Sequence, residues 1–174
     1  MLDNVKRSKF LNMSLSRCVP ISIVCVLTAV LPAIGAGPIA DRKSLTLDGA
    51  KKMAQAAEQF ALSHNRSVVI AVMDDGGNLL YLERMDDAPL GSLQVAQEKA
   101  HTAVIFKSPT KDFQEGLGKG NMSYLKLNAL PFEGGIPIMI DGKVIGSIGV
   151  SGGTAQQDGE VAKAGADWIE SHLK

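Results

Sequence analysis

Apolar positions recur at helical spacing just after residue 44. Thr46 can cap a helix there, and Asp48 stabilises the helix start because a carboxylate is favoured at the positive end of the helix dipole. The apolar residues that follow lie three or four positions apart, while charged and amide side chains occupy the opposite face. The apolar face consists of Leu47, Ala50, Met53, Ala54, Ala57, Phe60 and Ala61. This pattern predicts a first helix that ends near His64.

Two pairs of short apolar runs predict two β-hairpins. In the first pair, SVVIAVM (67–73) and LLYLERM (79–85) flank DDGGN (74–78), a cluster of residues that favour turns. In the second pair, IPIMI (136–140) and VIGSIGV (144–150) flank an Asp-Gly dipeptide. Asp-Gly is the usual signal for a tight primed turn, so the second hairpin is the more clearly predicted of the two.

Two further helices are predicted between and after the hairpins. Pro89 can open a helix that the break at Pro109 ends. Thr154 and Gln157 have the spacing of a capping box at the start of a last helix. The order helix, hairpin, helix, hairpin, helix favours an α/β fold in which helices cover one antiparallel sheet. The expected layering is profilin-like or PAS-like, in two or three layers.

The first 40 residues have the pattern of a secretory signal peptide. Four basic side chains precede an uncharged stretch, whose apolar centre ISIVCVLTAVL runs into the small residues of PAIGAGPIA. Cleavage is expected near Ala36, and an uncleaved membrane anchor is the alternative. The sequence therefore predicts a signal peptide over 1–36, a short linker over 37–44 and one domain over 45–174. The mature protein is expected to be periplasmic or secreted and not attached to a membrane.

Composition changes once that segment is removed. Both cysteines, Cys18 and Cys25, lie in it, so the mature chain can form no disulfide and offers no thiolate as nucleophile or metal ligand. The whole chain has 18 basic and 18 acidic residues. The predicted signal peptide contains four of the basic residues and one of the acidic residues, so the mature chain has 14 basic and 17 acidic residues and a net charge of −3. This balance gives no attraction to nucleic acid or to an anionic membrane surface.

Few side chains indicate a chemical site by their pattern alone. The glycines of GSIGVSGG (146–153) have neither dinucleotide-binding nor P-loop spacing, and they indicate close packing, a turn or space beside a ligand. Glu133 precedes two glycines, where an ordinary loop residue and an acid aimed at a cavity fit the sequence equally well. His101 lies beside the apolar face of the second predicted helix, a position more typical of a surface residue than of a ligand.

Four blocks of the chain together resemble one known family. They are VMDDGGNLLYLERMDDAP (72–89), AQEKAHTA (96–103), GGIPIMIDGKVIGSIGVSGG (134–153) and QQDGEVAKAGA (156–166). Their order and spacing are similar to those of the GlcG/HbpS-like family of heme-binding and heme-degrading proteins, which includes the C-terminal domain of some corrinoid adenosyltransferases. The resemblance implies a sheet of about five antiparallel strands flanked by helices. It also implies a homo-oligomer, with heme or a related tetrapyrrole as the ligand of some members.

The resemblance implies a set of positions for the site, but it does not include His101. That position varies within the family, and His101 is a candidate because no other histidine lies in the four blocks. The matching residues are Arg84, Asp86, Lys99, Thr102, Gly134, Gly135 and Glu160.

We therefore expect an exported protein that binds heme or a related tetrapyrrole. Such a ligand needs an apolar slot, an axial donor, and cations or N–H groups for its carboxylates. His101 is the expected iron ligand, and Met122, Met139 and Tyr124 are the other possible donors. The expected cofactor contacts are His101, Lys99, Thr102, Arg84, Gly134 and Gly135.

The sequence leaves two alternatives open. One is an enzyme that acts on a small carboxylate metabolite in an oxidative catabolic pathway, with Glu133 or Glu160 as the acid–base group and Arg84 or Lys99 as the anchor. The other is an accessory protein whose oligomer is its function. Because few side chains can serve as axial ligands to iron, the sequence alone does not decide between tetrapyrrole binding and these two alternatives.

Overall fold

The computed structural model describes Pro38 and residues 41–172, and the predicted signal peptide lies outside them. The helices in this part are α1 (Leu47–Ser63), α2 (Ser92–Phe106), α3 (Thr110–Gly118) and α4 (Ala155–His172). The strands are β1 (Val69–Asp74), β2 (Leu79–Arg84), β3 (Gly135–Ile140) and β4 (Lys143–Ser151), and a 3-10 helix spans Met122–Lys126. Within this part of the chain, no helix has the length and apolarity needed to cross a membrane.

The strands of the described chain form one antiparallel sheet in the order β2-β1-β4-β3. The predicted α/β class and both hairpins are confirmed, but residues 41–172 contain four strands and not the expected five. The segment between α3 and β3 forms the 3-10 helix and loops. Asn121 starts that helix by accepting a hydrogen bond from the Ser123 nitrogen at 3.3 Å, and Pro131 has no N–H to donate to a strand.

The sheet separates two layers of helices. Side chains alternate along β1, so Ile70 and Val72 pack with α1 and α4, whereas Ala71 and Met73 pack on the opposite face with α2. All four side chains are buried. The fold therefore has three layers: α1 and α4, the sheet, and α2.

Two glycines let α2 lie close against the sheet. Gly135 of β3 and Gly149 of β4 face each other in the strand ladder. A methyl group on Gly149 would overlap the Ala96 carbonyl oxygen and lie 2.5 Å from the Ala100 nitrogen, and one on Gly135 would overlap the Lys99 carbonyl oxygen. Because only glycine leaves this room, the backbone of α2 rests directly on the two strands.

The predicted turn and helix cap are both present. Asp141 and Gly142 have φ values of 51° and 73°, as a type I′ turn requires. The Gln157 nitrogen donates to Thr154 Oγ1 at 3.3 Å, and the Thr154 nitrogen donates to Gln157 Oε1 at 3.0 Å. These reciprocal bonds are the capping box that the sequence predicts at the start of α4.

Candidate functional site

An open pocket of about 410 Å³ lies between α2 and the loop that follows the 3-10 helix. The helix, the loop and one residue of β1 each contribute side chains to its wall. We call it the His101 pocket, and its lining residues are Met73, Gln97, Glu98, His101, Thr102, Leu127, Asn128, Ala129 and Leu130. Its volume is in the range of small-molecule and cofactor sites.

The imidazole of His101 is exposed at this pocket and lies beside the turn between β1 and β2. Gly77 of that turn has φ of 80°, and a methyl group there would lie 3.3 Å from His101 Cδ2. Within the described residues, no hydrogen bond occupies either imidazole nitrogen. The ring is therefore placed by packing, and its nitrogens remain available to a ligand.

Asp74 organises the turn that packs against His101. Its Oδ1 accepts hydrogen bonds from the nitrogens of Gly76 at 2.9 Å and Asn78 at 2.8 Å, and the Asn78 amide donates to its Oδ2 at 3.0 Å. Burial alone would raise the pKa of Asp74, but the hydrogen bonds outweigh burial and hold the pKa below its ordinary value. The turn predicted from DDGGN is thus held together by hydrogen bonds to Asp74, next to the pocket.

Thr102 of α2 holds the opposite wall of the pocket, the loop 127–130, in place. Its side chain is buried, and Oγ1 accepts a hydrogen bond from the Leu130 nitrogen at 2.9 Å. This bond ties the loop 127–130 to α2, although the loop has no regular secondary structure. Thr102 is therefore a pocket residue that acts by holding the loop in place.

Glu98 gives the pocket its charge. Among the lining residues, no other side chain is an acid, a lysine or an arginine. The Gln94 amide donates to Glu98 Oε1 at 2.6 Å, and within the described chain no cation lies within 4 Å of the carboxylate. The pocket therefore combines one carboxylate, one imidazole, the polar side chains of Gln97, Thr102 and Asn128, and apolar side chains.

The fold and this pocket can be compared with known proteins. A family model described as haem degrading protein HbpS-like matches residues 45–167. The chain belongs to the HbpS-like family. An uncharacterized 15.0 kDa protein from the dhaT-dhaS intergenic region of Citrobacter freundii is 43% identical over 129 residues, which cover 71% of this chain and 91% of that protein. GlcG of Escherichia coli K12 is 43% identical over 97 residues, covering 55% of this chain and 72% of GlcG.

Two solved structures share the fold of the HbpS-like domain. A double mutant of Streptomyces reticuli HbpS has a TM-score of 0.70 and 33% identity, over 80% of this chain and 97% of that chain. A PduOC complex with heme has a TM-score of 0.65 and 30% identity, over 71% of this chain and 94% of that chain. The predicted family and fold class are confirmed.

Lys99 faces away from the His101 pocket of the HbpS-like domain. It is 2% exposed, and its ammonium donates to Asp158 Oδ2 at 2.7 Å and to the Val150 carbonyl oxygen at 3.0 Å. Asp158 of α4 thus gives the buried charge of Lys99 its partner. Lys99 therefore joins α2 to α4 and does not line the pocket.

Gly134, Gly135 and Arg84 also lie apart from the pocket lining. Gly134 has φ of 127°, and a methyl group on it would lie 2.7 Å from the Val150 carbonyl oxygen, so close packing accounts for this glycine as it does for Gly135. Arg84 pairs with Val69 at one end of the β1–β2 hairpin, whereas the turn with Gly77 lies at the other end. Of the predicted cofactor contacts, the structure brings together only His101 and Thr102 in this pocket.

The two candidate acid–base residues are held in separate ion pairs. Glu133 Oε1 lies 3.2 Å from Lys111 Nζ, and Glu160 Oε2 lies 2.8 Å from Arg66. The hydrogen bond from Arg66 and a second one from Gln156 lower the pKa of Glu160. Neither carboxylate lines the His101 pocket.

The other predicted donors lie outside the pocket as well. Met122 and Met139 are exposed, and neither is a lining residue. The Tyr124 ring packs 5.3 Å from the Phe113 ring between α3 and the 3-10 helix. Within the described residues, no group of three or more His, Cys, Asp or Glu side chains could hold a metal ion. His101 is thus the one predicted donor that the structure places in the pocket.

Sequence reasoning missed four parts of the pocket: Met73, Gln97, Glu98 and the loop 127–130. One signal was present, because Glu98 and His101 are three residues apart and therefore share a face of α2. The sequence predicted Met73 only as the last residue of the strand SVVIAVM (67–73). The loop has no periodic pattern that would indicate a binding wall.

Proposed function

We propose that the HbpS-like domain binds heme or a related tetrapyrrole in the His101 pocket. The observation that carries this proposal is an imidazole without a hydrogen-bond partner in the described chain, exposed at an open pocket with apolar side chains. Imidazole is a strong donor to heme iron, and a tetrapyrrole needs an apolar slot beside that donor. The imidazole and the apolar side chains therefore fit the metal and the ring of the ligand, whereas the lining holds neither lysine nor arginine for its carboxylates.

Each part of the pocket has a task in this proposal. His101 would offer a nitrogen to the iron, and Gly77 leaves room for the imidazole, because a methyl group at that position would lie 3.3 Å from His101 Cδ2. Met73, Leu127 and Leu130 provide the apolar surface for the ring. When bound, heme supplies the redox chemistry of its iron, and the protein side chains set its binding and exposure.

The comparisons support the same ligand class. The family model describes haem-degrading proteins, and the PduOC structure with the same fold is a complex with heme. These properties belong to the relatives, and we extend the binding of heme to this chain on the strength of its own imidazole and pocket.

The alternative of an enzyme for a small carboxylate has less support at this pocket. An anchored carboxylate needs a cation or a cluster of N–H donors. Arg84 and Lys99 are absent from the lining, and Glu98 would repel such a substrate. No observation in the described chain favours this alternative over a tetrapyrrole.

An absorbance titration of residues 37–174 with hemin tests the proposed function. We expect a Soret band that sharpens, shifts and saturates at one hemin per subunit, because there is one His101 pocket per chain. Acetate, a small carboxylate, should leave the titration unchanged even in large excess. A spectrum that never departs from that of free hemin would refute the proposal, and displacement of hemin by acetate would favour the enzyme.

We also propose that the protein is exported and assembles into a homo-oligomer. The N-terminal pattern supports export, and the likeness to the GlcG/HbpS-like family supports a homo-oligomer. In exported protein, we expect denaturing mass spectrometry to give a first residue between about Gly35 and Asp41. Native mass spectrometry should give a multiple of that mass. A chain that retains Met1 or Met13 would contradict export, and a native monomer would contradict the oligomer.

A further inference from the structure

We propose that Glu98 makes the His101 pocket selective for the metal-bearing ring of the ligand and leaves the ligand's carboxylates outside in solvent. This inference rests on the proposed function and concerns the orientation and charge of the same ligand. It assigns Glu98 as a specificity-determining residue.

The charges of the lining carry the inference. The pocket holds one carboxylate and, within the described chain, neither lysine nor arginine. The ammonium of nearby Lys99 is occupied by Asp158 at 2.7 Å on the interior side of α2. A ligand carboxylate inside the pocket would thus meet the negative charge of Glu98 and neither a lysine nor an arginine of the described chain.

The chemistry of a ferric tetrapyrrole complements this lining. Its metal centre carries the positive charge, and its carboxylates lie together at one edge of the ring. Glu98 and His101 share one face of α2, so the metal can approach the imidazole while the carboxylate contributes a favourable field. The exposed rim at Leu127 and Asn128 leaves a route by which the carboxylate edge stays in water.

Esterified hemin provides the first test. Hemin dimethyl ester has the same ring and metal but no free carboxylate, so we expect its Kd for the wild-type protein to lie within about threefold of the Kd for hemin in the same co-solvent. A cation that held the carboxylates would supply charge-assisted hydrogen bonds, and esterification would then weaken binding by roughly tenfold or more. Such a weakening would overturn the inference.

Reversal of the charge at position 98 provides the second test. In Glu98→Lys, the pocket gains a cation, and we expect hemin to bind at least about tenfold more tightly than its dimethyl ester. Glu170→Lys on the exposed face of α4 is the matched control, and it should treat the two ligands as the wild type does. If both variants preferred hemin over its dimethyl ester by the same factor, the net charge of the protein, and not the residue at position 98, would set this preference.

The two proposals fail in different ways. If neither hemin nor its ester binds, the proposed function is refuted. If hemin binds at the His101 pocket but Glu98→Lys leaves the ratio of the two Kd values unchanged, only the role of Glu98 is refuted. Melting temperatures close to the wild-type value in both lysine variants would confirm that folded proteins are being compared.

Discussion

Gly149→Val should destabilise the HbpS-like domain by about 3 kcal/mol or more, at the upper end of the cost of overpacking. The cost is high because the new side chain would overlap the Ala96 carbonyl oxygen and approach the Ala100 nitrogen, and the backbone of a helix cannot rotate away as a side chain can. Urea unfolding of residues 37–174, followed by circular dichroism, measures the difference. Gly149→Ala should lower stability in the same direction by a smaller amount.

Gly118→Val is the matched control for this substitution. Gly118 is exposed at the end of α3, and no atom would lie within 4 Å of an added methyl group. We expect its effect to stay within about 0.5 kcal/mol, as for most surface changes. If Gly149→Val unfolded at the same urea concentration as Gly118→Val, close contact between α2 and β4 would not be a requirement of the fold.

Asp158→Ala should destabilise the domain by about 3–5 kcal/mol, because it leaves the ammonium of Lys99 buried without its carboxylate partner. Both side chains are almost completely buried, and Asp158 Oδ1 also accepts a hydrogen bond from the Gly153 nitrogen at 2.8 Å. Chemical denaturation measures the loss. The double variant Lys99→Met, Asp158→Asn should recover most of the stability, since no charge stays buried and the amide oxygen can still accept from Gly153.

An exposed ion pair provides the comparison for Asp158. Lys163 and Asp167 are four residues apart on α4, and more than half of each side chain is exposed. Asp167→Ala should therefore cost less than about 1 kcal/mol. A loss for Asp158→Ala as small as that for Asp167→Ala would mean that solvent reaches Lys99 and that the pair does not hold α2 against α4.

Much of the fold could be predicted because it depends on local patterns. The periodicity of α1, the Asp-Gly turn after β3 and the capping box of α4 each depend on residues within a few positions of one another. Packing across the sheet, by contrast, depends on residues that are far apart along the chain. The burial of Lys99 depends on Asp158, which is 59 residues away along the chain, so no local pattern indicates it.

The candidate site was predictable only in part for the same reason. His101 and Thr102 lie on a helix whose position follows from its pattern. The opposite wall is a loop tied to Thr102 by one hydrogen bond, and no periodic signal marks it. Gly134 and Gly135 matched the family pattern, but their geometry shows that packing requires them. A match to the family thus marked residues required for packing at Gly134 and Gly135, and a residue of the pocket at Thr102.

The proposed function depends on one assignment, the binding of heme beside His101. The direct measurement is the hemin titration of His101→Ala, with His64→Ala and His172→Ala as controls. His64 stacks on Phe60 and His172 stacks on Trp168, with ring centroids 4.1 and 4.2 Å apart, so neither faces the pocket.

We expect the Soret band of the complex to be lost or strongly shifted in His101→Ala alone, and affinity to fall by roughly tenfold or more. The two controls should retain the wild-type spectrum and Kd. If all three variants kept the wild-type spectrum and affinity, His101 would be a surface histidine and the heme would bind elsewhere, which would contradict the proposed function of this pocket.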